Sequence, residues 1–383
     1  MVGAGLAAVR LIEGLREGGY DGGIVLLGAE RHPPYDRPPL SKQVLTGREP
    51  VVLADADRLR VLGIDAHFGA AATVLDADAG EVHLVDGSRV PGAAVVVCTG
   101  ASPRPLPVPG GERALTLRTR DDALRLREAL VPGARLVVVG AGFIGCEVAA
   151  SAVSLGVQVT VVEPLPTPLA RTLGPVVGER IAAVHEAAGV RLLCGGAGVS
   201  AVSDDGVHLG DGAVLPADVV LAGIGVLPET AWLGGSGVEV TDGVVCDEQG
   251  RTSVPGVWAA GDVARWHSPF YGRHVRVEHW TSAAAQGAAV AVALLGEPPG
   301  EPDLPYVWSD QHGLKLQVLG LPAPDDEVHV VPDAGRPPRF TAVFGRDGRT
   351  TAVVGYGKAA QVMRLRPEVL AGAPMAETLA TLG

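Results

Sequence analysis

One short pattern occurs twice in this chain and narrows its fold more than any other feature. Gly3-Ala4-Gly5-Leu6-Ala7-Ala8 stands at the start, and Gly140-Ala141-Gly142-Phe143-Ile144-Gly145 stands in the middle. A glycine-rich turn set between a strand and a helix is how an α/β sheet receives a dinucleotide pyrophosphate. Either match alone is weak, so the flanking residues decide what it means.

The second copy carries nearly the whole context. Arg135-Leu136-Val137-Val138-Val139 is an apolar, β-branched run that predicts a buried parallel strand. Glu147 to Leu155 predicts a helix whose Ala149, Ala150 and Ala152 permit close packing on a sheet, with Gly156 ending it. Val157 to Val162 predicts the next strand, and Glu163 closes it 23 residues after Gly140. Gly140 permits the tight turn, Gly142 lets the backbone approach a pyrophosphate, and Gly145 lets helix and strand pack closely. The helix N-terminus offers free N–H groups and the positive end of its dipole. Glu163 can accept hydrogen bonds from a ribose diol and repels a 2′-phosphate, which favours NADH over NADPH. Arg171, eight residues on, pulls the other way.

The first copy follows the same logic with Ala8 in the third position, an allowed variant. A helix is expected over Leu6 to Arg16, a strand over Ile24 to Leu27, and acidic Glu30 follows. Only Met1 and Val2 precede Gly3, whereas the strand that aims such a turn needs about five residues. The expectation is therefore a missing first strand, from a natural start further upstream or a loss at this end, with weakened FAD occupancy. Two dinucleotide sites in one chain point to NAD(P)H and FAD, since hydride transfer needs two rings that stack.

Other motifs add chemistry. Tyr35-Asp36-Arg37-Pro38-Pro39-Leu40-Ser41-Lys42 is a proline-stiffened loop whose Arg37 and Lys42 offer cations to a pyrophosphate or a flavin. Ala94 to Cys98 reads as a buried strand ending at Thr99-Gly100, with Arg104 and a proline-rich link, Pro103 to Pro109, behind it. Val219 to Gly225 reads as its counterpart at the exit from the second nucleotide domain. Val257-Trp258-Ala259-Ala260-Gly261-Asp262 reads as a strand running into Gly-Asp at the start of a helix, where Asp262 can hold a polyol hydroxyl. Glu278-His279-Trp280 precedes an alanine-rich helix expected from Ala283, and Tyr306-Val307-Trp308-Ser309-Asp310-Gln311 opens the last section. Tryptophan is rare here, at five residues, so Trp280 and Trp308 are candidates to flank a planar cofactor.

Composition excludes several functions. At 47% hydrophobic and 19% charged, the 383 residues have material for two or three packed domains. A net charge of −12 argues against nucleic-acid binding. The most apolar stretch, Ala283 to Leu295, is too short to span a bilayer, and no secretory signal opens the sequence. A soluble, cytoplasmic protein is expected, a monomer or weak dimer. Cys98, Cys146, Cys194 and Cys246 lie about fifty residues apart with no paired spacing, so neither an iron–sulfur nor a zinc site is expected.

Taken together, these motifs resemble the FAD-dependent pyridine-nucleotide oxidoreductases with two Rossmann domains. Within that group they look most like the NADH-dependent ferredoxin reductases that serve cytochrome P450s and aromatic-ring dioxygenases. The matching residues are Gly3-Ala4-Gly5, Glu30, Arg37 to Lys42, Thr99-Gly100, Gly140 to Glu147, Glu163, Gly223-Ile224-Gly225, Ala260-Gly261-Asp262, Glu278-His279-Trp280 and Trp308 to Gln311. The resemblance covers nearly the whole chain and weakens after about Gly320, and the C-terminal segment ends soon after Pro374. It implies an α/β fold: an FAD domain over residues 1–107 and 229–299, an inserted NAD domain over 108–228, and a smaller C-terminal α+β domain over 300–383. It implies FAD binding through Gly3, Gly5, Ala8, Glu30, Arg37, Lys42, Thr99, Gly100, Arg104, Gly261 and Asp262. Trp280 and Trp308 would lie near the isoalloxazine, with His279 beside Trp280. NADH would use Gly140, Gly142, Ile144, Gly145, Glu163, Arg171 and Gly225, with Glu147 and Glu278 near the nicotinamide. Lys42 would stabilise negative charge on reduced flavin. Hydride would pass from NADH to FAD, and single electrons to a separate iron–sulfur ferredoxin that feeds a P450 or dioxygenase. Arg336, Arg339, Arg346, Arg349, Arg364 and Arg366 are candidates for a basic patch that meets it. No cysteine lies near the first fingerprint, unlike the disulfide reductases and thiol peroxidases of the superfamily, so thiol catalysis is not expected. Two other readings share the fold: a reductase for quinone or a nitrite reductase component, and an NADH-sensing binding protein like apoptosis-inducing factor.

Overall fold

The computed structural model describes residues 1–300, 304–332 and 339–382, and the chain divides into two compact units. One unit is built from Met1–Asp36, Pro50–Ser102 and Val226–Asp303, the other from Arg37–Glu49, Pro103–Gly225 and Leu304–Gly383.

In the second unit, parallel strands are ordered Arg191–Cys194, Gln158–Glu163, Arg135–Val139 and Val219–Ala222. Helices Phe143–Ser154 and Ala170–Ala187 connect the first three in sequence. Strand order reverses between Arg135–Val139 and Val219–Ala222, the point at which a doubly wound sheet takes its ligand. Gly140 leaves the sheet there. The helix starts at Phe143, four residues before the expected Glu147, because Gly142 is its N-cap and Gly145 lies inside its first turn. Burial on both faces explains the unbroken apolar strands: Leu136, Val138, Val159 and Val161 enter one core and Val137 and Val162 another, all at most 4% exposed.

The same unit holds an antiparallel sheet ordered Tyr306–Gln311, Leu314–Gly320, Arg349–Tyr356, Phe340–Arg346 and Glu327–Pro332. One face sends Leu316, Val318, Val354 and Tyr356 into a core shared with Val148, Leu173 and Ile181. On another side Val353 meets Val362, Leu365 and Val369, two of them from the short helices Ala359–Arg364 and Arg366–Ala371. The last section is thus the α+β element expected, and its order continues well past Gly320, where the resemblance had faded.

In the first unit, Ile24–Gly28 pairs in parallel with Ile64–Phe68, and Val95–Val97 with Val257–Ala259. Val2 lies between these pairs and bridges in parallel to both Leu27 and Val97. Its N–H donates to Val96 O (2.9 Å) and its carbonyl accepts from Cys98 N (2.7 Å). On the other edge Gly3 N donates to Leu27 O (2.7 Å), and Met1 O accepts from Leu27 N (2.9 Å). No strand is formed ahead of Gly3, as expected, but Val2 occupies its position through isolated bridges to both neighbouring strands.

Two boundaries also differ from expectation. The alanine-rich helix is Trp280–Leu294, starting three residues before Ala283, with His279 as N-cap. It packs on Leu6–Glu17 so closely that a Cβ on Gly287 would meet Ala7 O at 2.2 Å. Gly261-Asp262 does not open a helix: it turns the chain into the strand Ala264–Ser268, with Ala264 N donating to Gly261 O. Ala264, Arg265 and Trp266 pair in parallel with Val244, Val245 and Cys246 instead, so the helix expected to start at Asp262 is absent. Among the described residues, no helix is long and apolar enough to cross a membrane.

Candidate functional site

The two glycine turns are where chemistry can be placed first. Gly140 has φ +100, and a Cβ on it would meet Gly223 O at 2.5 Å. Gly3 has φ +107, and a Cβ there would meet Cys98 O at 2.1 Å. Both turns are thus shaped by backbone contact. The second glycines differ: Gly142 and Gly5 have nothing within 4 Å of an added Cβ. Each is the N-cap of a long helix and brings no side-chain cap, which leaves room and donors for a phosphate. Gly145 would drive a Cβ to 2.2 Å from Gly140 O, so helix and strand meet as closely as its place in the fingerprint requires. Ile144, 43% exposed, sits on the outer side of that first turn. These open cradles fit two dinucleotides.

Glu163 stands where expected and does more than expected. Its Oε2 accepts from Ala141 N (2.8 Å) and its Oε1 from Leu165 N (3.0 Å). The carboxylate ties the glycine turn to the end of its neighbouring strand and keeps lone pairs for a ribose diol. Arg171 is exposed one residue into Ala170–Ala187. Gly225 has φ +101 and open space above it, and its carbonyl accepts from the backbone N–H of Arg104, whose side chain is exposed.

Lys42 and Glu147, distant in sequence, meet in the interior of the second unit. Lys42 Nζ lies 2.7 Å from Glu147 Oε2, with the residues 9% and 3% exposed. The ammonium also donates to Pro38 O (3.0 Å) and reaches Ser41 Oγ (3.4 Å). Glu147 Oε2 accepts from Ser41 Oγ (2.5 Å) and Oε1 from Ser309 Oγ (2.7 Å). A buried ion pair persists only when the remaining lone pairs and protons are satisfied, and here they are. Arg37 starts the short 3-10 helix Pro38–Ser41 that presents Lys42, and its guanidinium donates to Arg118 O (2.6 Å). Trp308 carries the Lys315 ammonium 5.5 Å above its ring.

In the first unit Tyr35 donates to Glu30 Oε2 (2.5 Å), and Thr99 Oγ1 donates to Glu229 O (2.8 Å) beside Gly100. Ala8 is fully buried. Trp280 Nε1 donates to Asp36 Oδ1 (2.7 Å), which fixes the indole plane. Gly261 N donates to Gln286 Oε1 (2.8 Å), while Asp262 lies near His279 and its carbonyl accepts from Arg276 (3.3 Å). Arg276 also pairs with Asp242 (3.0 Å) and with exposed Glu278. His279 Nδ1 is buried with no hydrogen-bond partner, and burial pushes the ring down to about 4. A buried orphan beside the Gly261-Asp262 turn is what a bound polar ligand would satisfy.

Sequence reasoning gave no role to Ser41, Ser309, Gln311, His185, Asp36, Gln286 or Arg276. Ser309 and Gln311 alternate on one strand and so share a face, a signal open to reading; His185 carries none. Of the basic-patch candidates, Arg346 is committed to Asp326 (2.6 Å) and Arg349 donates to Gly372 O (2.8 Å), while Arg336 lies outside the described residues. The thiols are free, and burial raises each: Cys98 and Cys246 to about 12, Cys194 to about 11, and Cys146 further still. None is a thiolate near neutrality.

Two parallel sheets, each entered at a glycine turn with an open cradle, define a protein with two dinucleotide-type folds. The chain belongs to the pyridine nucleotide-disulphide oxidoreductase family, which matches residues 1–287, and a reductase C-terminal domain matches residues 306–381. It is 37% identical to the ferredoxin--NAD(+) reductase component of the anthranilate 1,2-dioxygenase system of Burkholderia cepacia, over 97% of this chain and 94% of that protein. It is 35% identical to putidaredoxin reductase of Pseudomonas putida, over 92% and 87%. The crystal structure of the covalent putidaredoxin reductase–putidaredoxin complex superposes with a TM-score of 0.92 at 34% identity, covering 97% of this chain and 93% of that one.

Proposed function

We propose that the chain is an FAD-dependent NADH:ferredoxin oxidoreductase that supplies electrons to an oxygenase, either a cytochrome P450 or a ring-hydroxylating dioxygenase. The observation that carries the reading is similarity along the whole chain, C-terminal reductase domain included, to ferredoxin reductases of such systems. Bound FAD would accept hydride from NADH and release single electrons to an iron–sulfur ferredoxin.

The chain's own residues bind, orient and tune. Gly3, Gly5, Glu30, Thr99, Gly100 and Asp262 hold FAD, with Arg37 and Arg104 adding positive charge. Gly140, Gly142 and Gly145 hold the NADH pyrophosphate at the helix N-terminus, and Glu163 takes the ribose diol. Lys42, with its charge balanced by Glu147, offers an ammonium to negative charge on the flavin. Glu147 and Glu278 serve the nicotinamide, and Trp280 and Trp308 serve the flavin ring. The domains are residues 1–107 with 229–299 for FAD, 108–228 for NAD, and 300–383 at the C-terminus. The protein works in the cytoplasm as a monomer or weak dimer, with no nucleic-acid or membrane partner.

The test is anaerobic reduction by NADH followed by mixing with candidate ferredoxins and a cytochrome c readout. Acceleration of flavin reoxidation by a [2Fe–2S] or [3Fe–4S] protein is the expected result. If no such protein accelerates it, the acceptor is another molecule and the reading fails.

A further inference from the structure

Glu147 ends a line of buried polar side chains that the roles above leave unused. Ser309 Oγ donates to its Oε1 (2.7 Å), and Gln311 Nε2 donates to Ser309 Oγ (2.9 Å). Gln311 Oε1 lies 3.0 Å from His185 Nε2, and His185 Nδ1 lies 3.0 Å from His312 Nε2. Ser309, Gln311 and His185 are each at most 1% exposed.

Chemistry orders this line in one direction. A carboxylate only accepts, so Ser309 must donate to it, which leaves the Ser309 lone pair for the Gln311 amide N–H. That sets the amide with its oxygen towards His185, so His185 carries its proton on Nε2. Nδ1 is then a bare acceptor, and His312 supplies the hydrogen bond to it. Every donor points at Glu147.

The outer end is held at a conformational cost. His312 has φ +50, and Gly313 after it has φ +77, in the tight turn between Tyr306–Gln311 and Leu314–Gly320. A non-glycine residue there is strained, and the His312 ring meets His185 at 4.5 Å between centroids. Tyr356 braces the middle of the line, its hydroxyl donating to Gln311 O (2.9 Å).

We propose that Ser309, Gln311 and His185 are positioning residues that hold the Glu147 carboxylate in one orientation, and through it the Lys42 ammonium, by a hydrogen-bond chain polarised in a single direction. No proton travels along it, because the Gln311 amide passes polarity rather than protons. Its consequence at the flavin rests on the role given to Lys42 above; the chain itself does not.

The test uses FAD-loaded protein. With ¹⁵N-labelled histidine, His185 is expected as the Nε2–H form at pH 7; an Nδ1–H form overturns the proposal. With lysine labelled at Cε, the spectrum holds signals from Lys42, Lys315 and Lys358, assigned with K42R. Ser309→Ala and His185→Leu should shift the Lys42 signal and leave the other two in place. His185→Gln, which returns an N–H donor towards Gln311, should restore it. A Lys42 signal unmoved by Ser309→Ala overturns the proposal. Flavin reduction at saturating NADH should slow about fivefold in His185→Leu, the worth of about one hydrogen bond, with NADH affinity unchanged, and recover in His185→Gln. If the signal moves while the reduction rate does not, the chain stands and the flavin role of Lys42 falls.

Discussion

The two glycine turns share a sequence pattern and are held in place differently. The second follows a five-residue strand, Arg135–Val139, and is tied down by Glu163 through Ala141 N. The first follows Met1 and Val2, gripped from both sides by Leu27, Val96 and Cys98. The third position differs in the same spirit. Gly145 admits no methyl because Gly140 O stands 2.2 Å from where a Cβ would be, whereas Ala8 is accommodated fully buried. In the first unit the close helix approach is made instead by a second helix, at Gly287 against Ala7. The lesson is that each glycine answers to the backbone facing it, and the pattern predicts where to look rather than what each position tolerates.

The largest expected effects break the two turns themselves. Gly3→Ala and Gly140→Ala each put a methyl against a carbonyl at positive φ and should cost about 3 kcal/mol or more, seen as a lowered melting temperature. Gly5→Ala and Gly142→Ala face open space at ordinary φ and should cost about 1 kcal/mol or less in stability. They should nevertheless lose FAD content and NADH affinity respectively. Retained cofactor binding in both would show that the open cradles do not receive phosphates.

Acid should act on both units, on the first through buried His279, lowered to about 4, and on the one that holds the second turn through His185. Burial, first, and neighbouring His312 lower His185 to about 4, so the folded protein keeps it neutral while the unfolded chain protonates it near 6.5. The unfolded state then binds more protons between about pH 6.5 and 4, and stability falls as pH drops through that window. At pH 5 the loss from this residue should be on the order of 2 kcal/mol, checked by urea unfolding at pH 7 and 5. His185→Gln should flatten that dependence; an unchanged slope would mean His185 is not its source.

The smallest expected effect sharpens the second turn's preference. Glu163→Gln removes the charge that opposes a 2′-phosphate and should shift the NADH:NADPH ratio of kcat/KM about tenfold towards NADPH. Equal kcat/KM for the two nucleotides before the substitution would remove the role given to Glu163.

Much of the fold was legible because its signals are local. Arg135–Val139, Gln158–Glu163 and Ile24–Gly28 stand as contiguous apolar runs, and the turn glycines follow from backbone sterics within a few residues. Asp262 was misread because a Gly-Asp turn looks the same before a strand as before a helix; only pairing with Gly243–Cys246 decides. The two-sided bridging of Val2 was not legible because it depends on the strands at both of its edges. The sequence by itself therefore determined two dinucleotide turns, their acidic partners and the absence of a placed thiol. The tertiary structure alone decided which polar groups meet inside: Ser309 reaches Glu147 across 162 residues, and His185 reaches Gln311 across 126. No local propensity encodes such contacts, since they exist only once helix and sheet have packed and excluded water.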